Sequence, residues 1–520
     1  MVKYRKIEEC NLEDFNNVVI YGAGPAGRVN AWVVKTELKR DDYLFCDRDE
    51  KKHNADLEHP IISVSDAAKK HNACFIVGFY NNNKEKIESS ITLLHANNVG
   101  DDCIFVIDME DEYYNEIYSR YLKNYIDDSV NNKREKESLR KVEKICFLSG
   151  GFNAEKELIG GGGPIGVICM QKKILGNSFS GIEIIYPYYE TNEEYENPIN
   201  RFSYMTGASQ AAYEMSLKMN NTIYIANDVF SAFGLYRAGK NYRIIFHAQG
   251  DNVNEMRLWG EELTETEENL IKTIEKIAFE NAQMVSFPSN GAKVYFDNCF
   301  EGKLSYNSGR AMFNTVIDMP EIKSIEGISK RTDCVTFLSI GQMTRLKGVD
   351  LVPYFLQKYY RQTNKKIRWI VVAGGITTLE EEIQKTVDNM CMQGVDLEYV
   401  AISERITHSQ IFYLFNISDV YIMLHRLSIF DFSTLEAMIN EMPIILSDIP
   451  GNQEFNLDDN IYLYNDNSCM EDIDIYIEKR NEIGKRNKNV YDKHFSVSEF
   501  KKLYSKYINE FICSVVEEHL

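Results

Sequence analysis

Three times along this chain an apolar run passes without a break into a glycine-containing turn and then into a helical pattern. It happens at Asn17–Gly27 (NVVIYGAGPAG), at Lys144–Gly163 (KICFLSGGFNAEKELIGGGG) and at Val335–Gly348 (VTFLSIGQMTRLKG). A strand buried on both faces reads as a continuous apolar run, and glycine at its end allows a tight turn into a helix whose N-terminus favours anions. Short apolar runs separated by helical stretches follow each start. That alternation specifies parallel sheets with crossover helices. No short-period repeat is present, which excludes a solenoid or propeller. Three starts within 520 residues, at roughly 100–200 residues per domain, predict three Rossmann-like units.

Two polar stretches divide the units: Asp127–Lys144 (DDSVNNKREKESLRKVEK), which suits a solvated helix or linker, and Asp318–Asp333 (DMPEIKSIEGISKRTD). They give expected domains of 1–130, 140–325 and 330–520. The chain is 44% hydrophobic and 26% charged, the balance of a soluble globular protein, which excludes disorder, collagen and a fibrous coiled coil. Lys+Arg 58 against Asp+Glu 78 leaves a net charge of −20, which argues against nucleic acid or a strongly anionic membrane as the main partner. The longest apolar runs, such as Trp369–Ala373, fall far short of the roughly 18 residues that span a bilayer. The N-terminal MVKYRKIEE has no apolar signal core. Eleven cysteines without a C-x-x-C pair read as small hydrophobes of a reducing compartment, not as a disulfide frame or zinc site. A cytoplasmic location is expected, with no metal.

In the first unit Gly22, Gly24 and Gly27 form G-x-G-x-x-G after an apolar strand, and Asp47 ends the next strand 20 residues past Gly27. This is the spacing of a dinucleotide fingerprint. Two readings stand: a bound ligand at Gly22, Gly24, Gly27 and Asp47, or glycines that only let strand and helix approach, with Asp47 capping a turn. The segment, including Pro60–Ala67 (PIISVSDA), resembles small Rossmann domains attached to sugar-modifying enzymes and methyltransferases. The resemblance implies an accessory role.

From about residue 144 to 520 the motifs run in a recognisable order. Gly160–Gly163 with Pro164 open a helical stretch, and IYIAND ends at Asp228. RIIFHAQGD carries His247 and Gln249, and VSFPSNG follows at Val285–Gly291. GQMTRLKG covers Gly341–Gly348; IRWIVVAGG (Ile367–Gly375) and VAISER (Val400–Arg405) come next. Then SIFDFSTLE covers Ser428–Glu436, and GNQE begins at Gly451. This order resembles the retaining family-4 glycosyltransferases of the GT-B fold, two facing Rossmann-like domains with the active site in the cleft.

The resemblance implies transfer of a hexosyl or N-acetylhexosaminyl group from a nucleotide-diphosphate sugar, UDP-sugar first among them. The acceptor would be a hydroxyl of a glycan, cell-wall polymer or protein, as in cell-envelope glycan assembly. It implies Gly162, Gly163, Gly341 and Gln342 near the donor phosphates and Lys347, with Arg345, neutralising the leaving diphosphate. Glu436 would hold the ribose, with Phe432 and Ser433 beside it, while His247 would lie near the transferred sugar and Asp228 and Gln249 on the acceptor side. The leaving phosphate would take the acceptor's proton, so no cofactor or metal is required. VAISER would flank the nucleobase, and GNQE would border the cleft.

Two positions depart from the family. Gln342 stands where an arginine is usual, and Ser428 replaces the first glutamate of an E-x7-E pair, with Asp431 as the substitute. These departures motivate an alternative, a non-catalytic subunit of the same fold that binds a sugar nucleotide or a partner. An NAD-dependent oxidoreductase built on the first unit is a third reading, without hydride-transfer residues to accompany the loop. Ser433-x-x-Glu436 is also a capping-box pattern, which would occupy Glu436 structurally. The tyrosine-rich Tyr186–Tyr204 offers aromatic faces for an acceptor, or buried anchors of a solvated loop. Peripheral membrane contact and a homo-oligomer are both compatible with this sequence.

Overall fold

The computed structural model describes residues 4–6, 9–50, 53, 59–77, 84–107, 112–154, 157, 163–188, 198–258, 261–316, 321–373, 378–404 and 406–516. Each of the three glycine-turn starts leads a six-stranded sheet. The first contains β1 (Tyr4–Arg5), β2 (Asn17–Tyr21), β3 (Tyr43–Cys46), β4 (Ile61–Ile62), β5 (Ala73–Val77) and β6 (Ile104–Ile107), in the order β1-β6-β5-β2-β3-β4. The second contains β7 (Lys144–Leu148), β8 (Ser178–Phe179), β9 (Ile182–Ile185), β10 (Thr222–Ala226), β11 (Tyr242–Ile245) and β12 (Val285–Ser286), in the order β12-β11-β10-β7-β9-β8. The third contains β13 (Val335–Ile340), β14 (Ile367–Val372), β15 (Leu397–Ile402), β16 (Val420–Met423), β17 (Ile444–Ser447) and β18 (Tyr462–Tyr464), in the order β15-β14-β13-β16-β17-β18. All pairings are parallel except the β8–β9 hairpin.

The third sheet has the doubly wound order, which reverses between β13 and β16; the second reverses between β7 and β10. Ligands of open α/β sheets bind at the carboxyl ends of the strands beside such a reversal. The central strands are buried along almost their whole length, β10 and β14 completely, which explains why they read as unbroken apolar runs. Five cysteines are buried and Cys391, Cys469 and Cys513 are exposed, all as free thiols. Among the described residues no helix is long and apolar enough to cross a membrane.

The polar stretch after the first sheet continues the helix Glu112–Asn131 and then lies against the second unit, where Arg134 N–H donates to Arg237 O and Glu137 N–H to Gly239 O. At the other end, the chain crosses back. The final helix, Val497–Val515, buries Phe500, Tyr504, Tyr507, Ile508 and Phe511 in the core of the second unit. Buried Arg243 donates to Tyr507 O at 3.0 Å, and Gln171 donates to the Tyr504 hydroxyl at 3.1 Å. The tail of the stretch expected to form the third unit thus straps the second and third sheets together.

Their seam is closely fitted. Ser289 Oγ donates to Ile429 O at 2.5 Å, and the Asn290 amide donates to Glu454 Oε1 at 3.1 Å. A Cβ on Gly291 would stand 2.4 Å from the Gly451 nitrogen. The GNQE element, expected to border the cleft, is therefore engaged at this seam through Gly451 and Glu454.

Candidate functional site

The loops after β13 and β16 meet at the reversal of the third sheet. After β13, Thr344 Oγ1 accepts from the Lys347 amide at 3.4 Å and caps a single turn, Arg345–Lys347. Gly348 ends that turn at φ +66, and a Cβ there would lie 1.7 Å from Leu424 O. No residue with a side chain fits, so the lysine loop and the end of β16 touch through bare backbone. Lys347 is thereby aimed at the start of the helix Phe432–Ile439: its Nζ donates to Asp431 Oδ1 at 2.6 Å.

Asp431 is the N-cap of that helix, accepting from the Thr434 amide at 3.2 Å. The capping-box alternative is thus displaced: the cap is Asp431, not Ser433, and Glu436 takes no part in it. Burial pushes the Asp431 carboxyl up, but the Lys347 charge and its hydrogen bond, with the His425 ring nearby, hold it well below the usual carboxylate range. His425 Nε2 lies 3.8 Å from Asp431 Oδ1, and the ring is buried. Burial lowers its pKa, and Lys347 lowers it further against the pull of Asp431. Ser433 Oγ donates to Ile340 O at 3.1 Å, accepts from the Tyr421 hydroxyl at 2.9 Å and also meets Asp431.

One turn along the same helix, Glu436 Oε1 lies 2.6 Å from His408 Nε2, at the start of the helix His408–Ile417. That helix follows β15 and the VAISER element, whose Arg405 falls outside the described residues. Lys347 and Asp431 are therefore in contact, with His425 nearby, and Glu436 lies farther along the same helix, paired with His408. Arg345 stands apart. It is 62% exposed and turns to Glu382 Oε2 at 2.6 Å and Asp350 Oδ2 at 3.4 Å. Arg426 shares Asp350 at 2.7 Å. Gln342 is exposed, and Gly341 lies beside Lys347, its missing Cβ 3.9 Å from Lys347 Cδ. Phe432 turns the other way, onto the core of the second unit. Ser428 is buried, and its Oγ has no hydrogen-bond partner among the described residues.

Across the seam, the second sheet presents its own strand ends. Asp228 follows β10 and caps the helix Val229–Arg237, accepting from the Ser231 amide at 2.8 Å and the Gly150 amide at 2.7 Å. Burial raises its pKa, against those hydrogen bonds. Its carboxylate therefore ties the loop after β7 to that helix, a structural duty. His247, two residues past β11, is buried, and its Nε2 has no partner among the described residues. Burial holds its pKa down at about 3, so the ring is neutral. Gln249 Oε1 is likewise buried and without a partner among the described residues. Gly163 starts the helix Gly163–Leu175 at φ +56; Gly160, Gly161 and Gly162 lie outside the described residues, as do Gly374 and Gly375.

Of the tyrosine-rich stretch, 189–197 lie outside the described residues. Tyr186 is buried and stacks on Phe147 at 5.3 Å, which makes it an anchor, whereas Tyr188 meets Phe152 at 4.8 Å but stays exposed. In the first unit Gly22 has φ +92, and a Cβ on Gly27 would stand 1.7 Å from Gly22 O, so strand and helix approach through bare backbone. Gly24 is the N-cap position of the helix Pro25–Thr36. Asp47 Oδ2 accepts from the Ala23 amide at 2.9 Å, turned onto the glycine loop itself.

Sequence reasoning missed His425 and His408. His425 stands two residues past β16, and the strand-end rule that singled out His247 would have found it. His408 had no local signal, because its partner Glu436 is 28 residues away.

Comparison with known proteins adds the following. Residues 321–492, about a third of the chain, match the family model described as glycosyl transferases group 1. Among curated proteins none matches this chain. Among solved structures, the α,α-trehalose-phosphate synthase (UDP-forming) from Burkholderia vietnamiensis is 8% identical with a TM-score of 0.51, over 71% of this chain and 99% of that one. The α,α-trehalose 6-phosphate synthase from Burkholderia multivorans is 10% identical with a TM-score of 0.50, over 72% and 99%. A chain of the GtfA/B complex is 12% identical with a TM-score of 0.40; the match covers 59% of this chain and 61% of that one. The chain thus has the two-lobed GT-B fold with a third Rossmann-like sheet beside it, and its third-sheet segment, 321–492, matches the group 1 glycosyl transferases.

Proposed function

We propose that this chain transfers a sugar from a nucleotide-diphosphate sugar to a hydroxyl acceptor, with retention of anomeric configuration. The observation that carries the reading is the placement, on one helix beside the strand reversal of the segment that matches the group 1 model, of Asp431 against Lys347 and of Glu436 against His408. Lys347 meets the diphosphate and stabilises the charge that develops as it leaves. Glu436, steadied by His408, accepts hydrogen bonds from the ribose hydroxyls. Asp431 engages a hydroxyl of the donor sugar once the diphosphate has taken Lys347. Neutral His247 lines the acceptor side. The bond from the anomeric carbon to the phosphate oxygen breaks with its electron pair on the phosphate. The acceptor oxygen bonds to the same face, and its proton passes to the departing phosphate. No metal or dedicated protein base takes part, and free thiols suit a cytoplasmic location. The trehalose-phosphate synthase of the same fold is UDP-forming, so UDP-sugars are the first donors to test.

One observation favours a second reading, a non-catalytic subunit. Both cations of the lysine loop already face a carboxylate, Lys347 facing Asp431 and Arg345 facing Glu382, and Arg426 of the loop after β16 faces Asp350. Incubation with a panel of nucleotide sugars and oligosaccharide acceptors, followed by 31P NMR, separates the two. Release of a nucleoside diphosphate supports transfer. Nucleotide binding without release from any donor assigns the second reading.

A further inference from the structure

The first unit contains a cavity that its glycine loop does not use. It lies between the helix Pro25–Thr36, strand β3 and the helix Glu112–Asn131, and has a volume of about 480 Å³, within the roughly 300–1,000 Å³ of small-molecule sites. Trp32, Tyr43 and Phe45 form its walls, and Asn124 and Asp128 supply polar groups beside them. We propose that this cavity binds a neutral carbohydrate.

The chemistry of the lining selects that class. The Tyr43 and Phe45 rings stand at 87° to each other, and Tyr43 is already stacked on His59 at 3.9 Å, so these two rings offer a flat heterocycle no sandwich. An anion needs cations to spare. The two at the cavity, Arg28 and Lys35, are held by Glu214 and Asp41, each at 3.2 Å, and Asp128 adds negative charge. A sugar ring needs one apolar face for its C–H side and polar groups for its hydroxyls. Trp32, met edge-on by Tyr121 at 5.8 Å and with the Arg120 guanidinium 6.0 Å from its ring centre, supplies the face. The Asn124 amide donates to Asp128 Oδ2 at 3.1 Å, which leaves the second amide N–H as a donor and the remaining carboxylate lone pairs as acceptors. The preference for a glycan over another polyol rests on the transfer reading above; the cavity and its chemistry do not.

The test is isothermal titration of the full chain with maltotriose, cellotriose and chitotriose. Saturable binding of at least one is expected below about 10 mM, with Trp32→Ala and Asp128→Asn each weakening it about tenfold. Asp128 is exposed, so Asp128→Asn keeps the thermal midpoint and reports binding even if Trp32→Ala unfolds the unit. Lys347→Ala, which probes the transfer reading, is expected to leave saccharide affinity unchanged, so the two ideas fail separately. No binding of any of the three sugars overturns the proposal. So does binding that Asp128→Asn leaves unchanged, or binding that UDP displaces.

Discussion

Asparagine in place of Asp431 releases the lysine that the fold has neutralised. Lys347 and Asp431 are 2.6 Å apart, with side chains 22% and 9% exposed. Opposite unit charges about 4 Å apart attract by about 4 kcal/mol at an effective dielectric constant of about 20, before desolvation offsets most of that. A charge-assisted hydrogen bond contributes about 1.5–3 kcal/mol net. One ammonium cannot serve two anions at full strength, so a diphosphate arriving at Lys347 forgoes roughly that amount while Asp431 stays ionised. Removing the carboxylate charge therefore tightens nucleoside-diphosphate binding by about ten- to a hundredfold. Asparagine is as good an N-cap as aspartate, so the helix Phe432–Ile439 keeps its start. Titration calorimetry with UDP on wild type and Asp431→Asn measures the change, with thermal unfolding to verify the fold. A folded variant whose UDP affinity is unchanged or weaker refutes the assignment of Lys347 as the anion-binding group.

Three further predictions follow from the same geometry. Gly348→Ala forces a Cβ against Leu424 O, 1.7 Å away, at a positive φ; it is expected to cost at least about 2–3 kcal/mol, read as a lowered urea midpoint. Arg345→Ala, at an exposed residue paired with Glu382, is expected to change turnover by less than about threefold, because exposed ion pairs contribute about 0–1 kcal/mol; steady-state kinetics on the preferred donor checks it. Burial holds His247 at about 3 and also lowers His425, whereas an unfolded histidine titrates near 6.5. The unfolded state therefore takes up protons that the folded state does not. Stability accordingly falls as pH drops below about 6.5, by up to about 1.4 kcal/mol per pH unit per histidine. His247→Gln is expected to flatten urea-unfolding profiles between about pH 6.5 and 5, and an unchanged slope contradicts a neutral buried His247.

The sheets were legible because strands such as Ile367–Val372 are buried on every residue, and total burial leaves its imprint as an unbroken apolar run. Lys347 was legible through the resemblance of GQMTRLKG to the family's loop, and the structure supplies the reason for the glycine after it: a bare-backbone contact admits no side chain. What the sequence could not supply was pairing over distance. The Lys347–Asp431 contact joins residues 84 apart and the His408–Glu436 contact residues 28 apart, and no local pattern encodes either. Asp431 is the clearest case. Its role as helix cap and lysine partner depends on where the loop after β13 comes to lie, and the Ser433–Glu436 spacing suggested a different cap. The final helix misled in the same way, since an amphipathic stretch such as Val497–Val515 shows that it has a buried face but not which sheet will bury it.

The measurement that bears most directly on the transfer reading is turnover of one nucleotide sugar by wild type, Lys347→Ala and Glu436→Ala, each verified as folded. Loss of Lys347 is predicted to lower kcat/KM by about 10²–10³-fold through the leaving diphosphate. Loss of Glu436 is predicted to raise KM more than it lowers kcat, because the ribose contact is made equally in ground and transition states. Equal turnover by all three proteins, or no turnover by wild type with any donor despite nucleotide binding, would contradict the assignment of this lobe as a donor site that works in catalysis.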